Sequence, residues 1–309
     1  MFSEANSKII TVLLPVFNAM PFLPQCIESL LDQTEKRITI LVIDDGSTDG
    51  SSDYLRSLKD KRISIFKKDK SGLVDTLNFG LKHISTKYVA RMDADDICET
   101  NRLEKQLKFL IENPKHILVG TSANHIGEYI NSKSAWSIYM PRDHNMIMDA
   151  LRIRRSAIIH PTIMGITQSF IAVGGYENEA WPAEDYDLYF KLGKKGLLAN
   201  IQEELYSIRL HDRSITAKNI IINQRKYELI RKKHLSSKNH QTSTGLRAKI
   251  ADLLRNFDYL SVFFYRKGIT RYVNKKKLTG LSLVTASAFL SPTRSVLYLK
   301  RKIDNLKKD

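Results

Sequence analysis

The sequence predicts an α/β protein: a mostly parallel sheet flanked by helices, followed by a helical, strongly basic C-terminal segment. Three observations predict it. Short apolar runs alternate with stretches of helical spacing through the first 120 residues, the signature of βαβ units with right-handed crossovers. Hydrophobic residues are 42% of the 309 and charged residues 27%, values of a globular chain rather than a disordered one. The charge is also segregated. Of 49 Lys/Arg and 33 Asp/Glu, 19 and 4 fall in residues 231–309, which leaves a nearly neutral 30 and 29 for residues 1–230. The polar run S-S-K-N-H-Q-T-S-T-G at 236–245 reads as a linker, so the expected division is 1–235 and 236–309.

Taken in order, Lys8 to Val16 (K-I-I-T-V-L-L-P-V) is a strand, and Phe17-Asn18-Ala19 follows as a loop. Pro21 opens a helix on which Leu23, Ile27, Leu30 and Leu31 share one face. Arg37 to Ile43 is a second strand that runs into the acidic turn D-D-G-S-T-D at 44–49, and a short helix from Ser52 to Leu58 comes next. Ile63 to Phe66 is a strand. Gly72 to Ile84, with Leu73, Leu77, Leu81 and Ile84, is a helix. The run Y-V-A-R-M-D-A-D-D at 88–96 begins as a buried strand, a helix spans Asn101 to Glu112, and Ile117 to Gly120 is extended. Later signals are more mixed: a strand over Ile158–Ile166, a turn at Gly174-Gly175-Tyr176, a helix from Glu184, an extended run Leu197–Leu210 and a helix over Lys218–His234.

The strand at 88–96 ends in Asp93, Asp95 and Asp96. Like charges at a strand end are costly unless a cation or donors are held there. Extended alternation points Asp93 and Asp95 to the same side. Oxygen-only ligands suit Mg²⁺ or Mn²⁺ with phosphate oxygens as further ligands; taken alone, the run reads sooner as a solvated loop and helix N-cap. Its context is the other polar turns, at 15–18 and 44–49, which also fall at carboxyl ends of strands, where ligands of such sheets bind.

These blocks, taken in order, resemble the family 2 glycosyltransferases, inverting nucleotide-sugar enzymes of GT-A fold. They are L-L-P-V-F-N at 13–18, V-I-D-D-G-S-T-D at 42–49, G-L-V-D-T-L-N-F-G at 72–80 and A-R-M-D-A-D-D at 90–96. After them come N-R-L-E-K-Q at 101–106, H-P-T at 160–162, G-G-Y at 174–176, A-E-D-Y-D-L at 183–188 and R-L-H at 209–211. The resemblance covers residues 8–215 and is nearest to bacterial enzymes of O-antigen and capsule synthesis. It implies that Pro15, Phe17, Asn18, Asp44 and Asp45 line a nucleoside pocket, and that Gly72, Asn78, Arg91 and Ala94 border the donor. Asp93 would reach the ribose or the metal. Asp95 would hold Mn²⁺ or Mg²⁺, with His211 as a further ligand, and Asp185 would be the general base. His160, Trp181 and Glu184 would line the acceptor side. Where many relatives carry an arginine after H-P-T, this chain has Gly165-Ile166-Thr167, so contacts made there do not transfer.

The expected partners are therefore a nucleotide-sugar donor, UDP-linked by analogy, and a glycan or polyprenyl-diphosphate-linked acceptor. A nucleotidyltransferase also uses acids and a metal, but it needs a glycine-rich basic loop near the first strand, where this chain has V-F-N-A-M-P. A nucleotide-sugar-binding protein without turnover would keep the same pocket. In the tail, Phe257–Tyr265 and Leu278–Leu290 are apolar and too short to span a bilayer. They are flanked by Arg255, Arg266, Lys267, Arg271, Lys275–Lys277, Arg294 and Lys300–Lys302. That pattern fits helices on an anionic membrane surface, or a subdomain packed on the body. It lacks the features of nucleic-acid recognition. With no secretory signal visible and two widely spaced cysteines, the expected location is cytoplasmic, on the inner face of the plasma membrane.

Overall fold

The computed structural model describes residues 8–128, 137–153, 157–211, 220–235 and 261–290, the last without 262, 263, 266, 269, 273 and 275. The linker at 236–245, much of Phe257–Tyr265, and Arg255, Arg266, Lys275, Arg294 and Lys300–Lys302 lie outside the described residues.

The first half alternates as expected: β1 (Ile10–Val16), α1 (Leu23–Leu31), β2 (Ile38–Asp44), α2 (Ser51–Ser57), β3 (Ile63–Lys67), α3 (Leu73–Lys82) and β4 (Tyr88–Arg91). β1 lies between β2 and β4, parallel to both, with Ile10 opposite Ile38 and Tyr88. Such a strand is covered on both faces, and this is why I-T-V-L-L-P-V is apolar at every position but Thr11 rather than alternating. The buried stripe of α1, Leu23, Cys26, Ile27 and Leu30, joins β1 and β2 in the core. Cys26 and Cys98 are buried free thiols, and burial pushes both up.

The second half adds β5 (Ile97–Cys98), α4 (Arg102–Glu112), β6 (His116–Gly127), β7 (Ser137–Ile138), α5 (His144–Arg152), β8 (Met164–Ile166), α6 (Thr167–Ala172), α7 (Glu184–Gly193) and β9 (Leu197–Leu210). Strand order is β3-β2-β1-β4-β8-β6-β9-β5, with β7 on β6. The pairs from β3 to β4 are parallel; β4–β8, β8–β6, β6–β7 and β9–β5 are antiparallel. Two expectations change. The strand expected over Ile158–Ile166 is a 3₁₀ turn at His160–Thr162 followed by the short β8. Pro161 has no amide for a ladder, and Thr162 Oγ1 donates to the Ile159 carbonyl and accepts from Thr121 N. The strand expected at Ile117–Gly120 runs on to Gly127 through buried Thr121, Ser122 and Asn124, polar residues that mask the strand pattern.

Gln106 ties α4 to the sheet. Its Nε2 donates to the Val119 and Thr162 carbonyls at 3.0 and 2.8 Å, and its Oε1 accepts from buried Arg102 Nε at 3.1 Å. Gln106→Ala orphans all three groups in the core. We expect chemical denaturation to show a loss of about 2–4 kcal/mol; a loss within about 0.5 kcal/mol, the size of an ordinary surface substitution, counts against this anchoring role.

The chain forms two compact units, 1–125 with 133–209, and 126–132 with 210–309. The second contains α8 (Ile220–Leu235), α9 (Lys277–Leu290) and helical residues between 261 and 272. Within it, Asn274 Nδ2 donates to the Leu210 carbonyl at 3.0 Å and its Oδ1 accepts from Glu128 N at 2.7 Å. Among the described residues, no helix is long and apolar enough to cross a membrane.

Candidate active site

Polar turns follow β1, β2 and β4, and because these strands are parallel all three leave the sheet at one edge. The first two are laced together. Asn18, at φ 50°, occupies the left-handed region that asparagine tolerates best among side-chain-bearing residues. Its N–H donates to Ser47 Oγ at 3.0 Å, and its side-chain oxygen accepts from Thr48 N at 2.8 Å. Ala19 N donates to Ser51 Oγ and Met20 N to Asp49 Oδ2. Pro15 is half-buried at the end of β1, while Phe17 stays 42% exposed with the Lys70 ammonium 4.3 Å from its ring centre.

Asp44 and Asp45 divide their work. Asp44 accepts from Ser47 N at 2.9 Å and from the Ser52 hydroxyl, closing its own turn. Asp45 accepts from Lys68 Nζ at 2.5 Å and from the Ser71 and Gly72 amides at 2.9 Å, fixing the start of α3. Burial pushes Asp45 up, but Lys68 and those amides outweigh it and the carboxyl is lowered. Gly72, at φ 98°, takes a conformation that a residue with Cβ resists.

After Arg91 the chain leaves the sheet, and Asp96 N reaches back to the Asp93 carbonyl at 3.4 Å. A turn at Ala94-Asp95, not extended alternation, brings the acids together. One carboxylate oxygen each of Asp93, Asp95 and Asp96 lies within 4.8 Å of the others. Buried Arg91 forks onto Asp93, Nη1 to Oδ2 at 2.9 Å and Nη2 to Oδ1 at 2.5 Å. Ala94 is buried beneath the turn. From β9, Tyr206 OH accepts from Asp93 N at 3.1 Å, Arg209 N donates to Asp96 Oδ1 at 2.8 Å and Arg209 Nε donates to the Asp95 carbonyl at 2.9 Å. Burial pushes Asp93 up against the pull of Arg91; burial and then the Asp95 charge push Asp96 well up. Carboxylates gathered at this cost, with only oxygen donors among them, fit a hard divalent ion.

A second acidic centre opens α7. Glu184 is 5% exposed and its Oε2 has no partner among the described residues; Asp185 is half-buried, and its Oδ1 accepts from Tyr186 N at 2.7 Å. Burial, then the Asp185 charge, pushes Glu184 up to about 7, and burial pushes Asp185 up to about 6 against the Tyr186 amide and Arg91. Trp181, just upstream, is 40% exposed. His160 Nε2 bonds Tyr176 OH at 2.9 Å, and burial with the Arg91 charge holds the ring well below its usual range, hence neutral.

Asn78 is placed differently from its expected donor contact. Its Nδ2 donates to the Tyr176 carbonyl at 2.8 Å and its Oδ1 accepts from Tyr176 N at 2.9 Å, so both ends of the amide clasp the Gly174-Gly175-Tyr176 turn. Gly175 has φ 66°, and a Cβ there would come within 2.5 Å of Asn78 Oδ1. His211 is buried at the start of the second unit. Sequence reading missed Lys68, Tyr176, Tyr206 and Arg209 as organisers. Tyr176 and Arg209 stand inside the blocks G-G-Y and R-L-H, but Lys68 and Tyr206 stand in no block.

Residues 11–174 match the family described as Glycosyl transferase family 2. An uncharacterized glycosyltransferase of Haemophilus influenzae is 32% identical over 218 residues, 67% of each chain. One of Rickettsia bellii is 34% identical over 214 residues, 68% of this chain and 30% of that protein. This chain thus spans about a third of the first Rickettsia relatives it matches (30% and 33%). Among solved structures, Staphylococcus aureus TarS 1-349 in complex with UDP-GlcNAc gives a TM-score of 0.57 at 14% identity, over 90% of this chain and 91% of that one. The mannosyltransferase PcManGT of Pyrobaculum calidifontis, in complex with GDP-Man and Mn²⁺, gives 0.53 at 15% identity, over 95% and 79%. At these identities the likeness is one of fold.

Proposed function

Because the chain belongs to glycosyl transferase family 2, we propose that it is an inverting glycosyltransferase of bacterial surface-polysaccharide synthesis. It moves a sugar from a nucleotide-diphosphate donor, a UDP-sugar in our reading, to a glycan or polyprenyl-diphosphate-linked acceptor. The observation that carries this is the meeting of three ordered polar turns at one sheet edge, the last of them the Asp93-Asp95-Asp96 cluster. The pocket wall built by Pro15, Phe17, Asn18, Asp44, Asp45 and Gly72 is fixed before any ligand arrives, and that lowers the ordering cost of binding. Exposed Phe17 offers the base a flat apolar face.

Asp95, with Asp93 and Asp96 beside it, would hold Mn²⁺ or Mg²⁺, which when bound stabilises charge on a departing nucleoside diphosphate. Arg91 offsets the Asp93 charge and keeps that carboxylate oriented. Asp185, partly open to solvent, accepts the proton of the acceptor hydroxyl as it attacks the anomeric carbon; neutral His160 and Tyr176 brace the neighbouring turn. Single displacement inverts the anomeric centre, and no covalent sugar–protein intermediate forms. The basic C-terminal segment keeps the enzyme at the cytoplasmic face of the plasma membrane, where a polyprenyl-linked acceptor lies.

Calorimetric titration of UDP and of GDP, each with Mn²⁺ and with EDTA, tests the donor site. We expect UDP to bind in Mn²⁺ and to lose at least roughly tenfold in affinity in EDTA, about 1.4 kcal/mol. Metal-independent binding, or none, overturns the donor reading.

A further inference from the structure

α9 is built the wrong way round for a helix facing water. Its exposed side carries Leu278, Leu281 and Phe289, at 87%, 57% and 83% exposure, while its buried positions are Gly280 and Ser287. The two small residues, with half-buried Val284 beside them, make the contact with the preceding helical residues. A Cβ on Gly268 would come within 2.8 Å of the Gly280 carbonyl oxygen and of Val284 Cγ2, and one on Gly280 within 2.6 Å of Tyr272 N. Ser261 Oγ donates to the Ser287 carbonyl at 2.9 Å. In water the hydrophobic effect puts leucine and phenylalanine inside a helix pair; small residues at the contact and large apolar ones outside are the pattern of an apolar surrounding.

The exposed hydroxyls agree. Thr279, Ser282 and Thr285 each donate to a carbonyl of their own chain three or four residues back, at 3.1, 3.0 and 3.0 Å, so none of these hydroxyls needs water as an acceptor. Exposed Lys267, Arg271, Lys276 and Lys277 lie before or at the start of this helix, in a tail of 19 basic and 4 acidic residues. Fourteen residues of α-helix rise about 21 Å, short of the roughly 30 Å hydrocarbon core.

We propose that α9, together with the described helical residues between 261 and 272 that pack on it, is a monotopic membrane element. It lays the Leu278/Leu281/Phe289 face into the acyl boundary of one leaflet and sets the lysines and arginine among anionic headgroups. This rests on the reading of the chain as an enzyme that works at a membrane surface, and it names the surface that docks. The bilayer is preferred to a second copy because the rim is uniformly basic and two copies would face like charge.

Flotation of the full chain with phosphatidylcholine vesicles, with and without 30 mol% phosphatidylglycerol, tests it. We expect binding to the anionic vesicles only. The combined Leu278→Ser, Leu281→Ser and Phe289→Ser variant should lose at least roughly tenfold in partition, since three apolar side chains no longer insert. The combined Arg271→Gln, Lys276→Gln and Lys277→Gln variant should lose severalfold and become less salt-sensitive. Circular dichroism and nucleotide titration on the same variants should match the parent, because the altered side chains are exposed. Undiminished flotation of the serine variant overturns the proposal. So does light scattering that shows a dimer which that variant breaks. Flotation that holds while no nucleotide binds would reject the donor reading and leave the membrane element standing.

Discussion

Asp185→Asn should retain nucleotide binding and lose transfer by roughly 10²–10⁴-fold, the range expected when a general base is removed. The substitution keeps size and the bond from Tyr186 N, which the amide oxygen can still accept, so the first turn of α7 should hold its shape. The change is confined to proton acceptance. The pH profile carries the same information with a definite sign. Asp185 is pushed up to about 6 by burial, and a base works only when unprotonated. Transfer should therefore rise with pH through about 6 and level off above it, and be weak below. Glu184, pushed up to about 7 beside it, shares the titration, so the limb belongs to the pair. Undiminished turnover in the asparagine variant would remove Asp185 from the mechanism.

Asp95→Ala should reduce UDP affinity in Mn²⁺ to the value seen in EDTA, with little change in thermal stability. Arg209 holds Asp95 through its backbone carbonyl, a bond that survives the loss of the carboxylate. Asp93→Ala is the instructive contrast. It leaves the buried Arg91 guanidinium without its bidentate partner, and stranding a buried charge costs about 3–5 kcal/mol of stability. The two substitutions therefore separate a ligand-holding carboxylate from one that also supports the fold. Persistence of a Mn²⁺ effect in the Asp95 variant would show that the neighbouring acids hold the ion without it.

Local chemistry was enough to make the first half of the fold legible. Helices α1 and α3 announce themselves by apolar periodicity, although α1 starts at Leu23 with Pro24 in its first turn rather than at Pro21, and β1 and β2 by almost unbroken apolar runs that suit a covered parallel sheet. The acid cluster and the D-D-G-S turn also follow from residues adjacent in sequence. What the carboxylates do was not legible. Arg209 and Asp96 are 113 positions apart, and Asn78 and Tyr176 are 98 apart. No periodicity records such pairings. Asp44, Asp45 and Asn78 read alike as pocket candidates, yet one closes a turn, one fixes the start of a helix and one clasps a distant turn. Likewise the composition of α9 marks it as apolar, but only its packing shows that glycine and serine face inward and leucine and phenylalanine outward. The sequence determined the parallel half of the sheet, its acidic edge and the charge of the tail, because these depend on near neighbours. The tertiary structure decided which acids are engaged and which helix face is bare, because hydrogen-bond capacity and burial are allotted by partners far away along the chain.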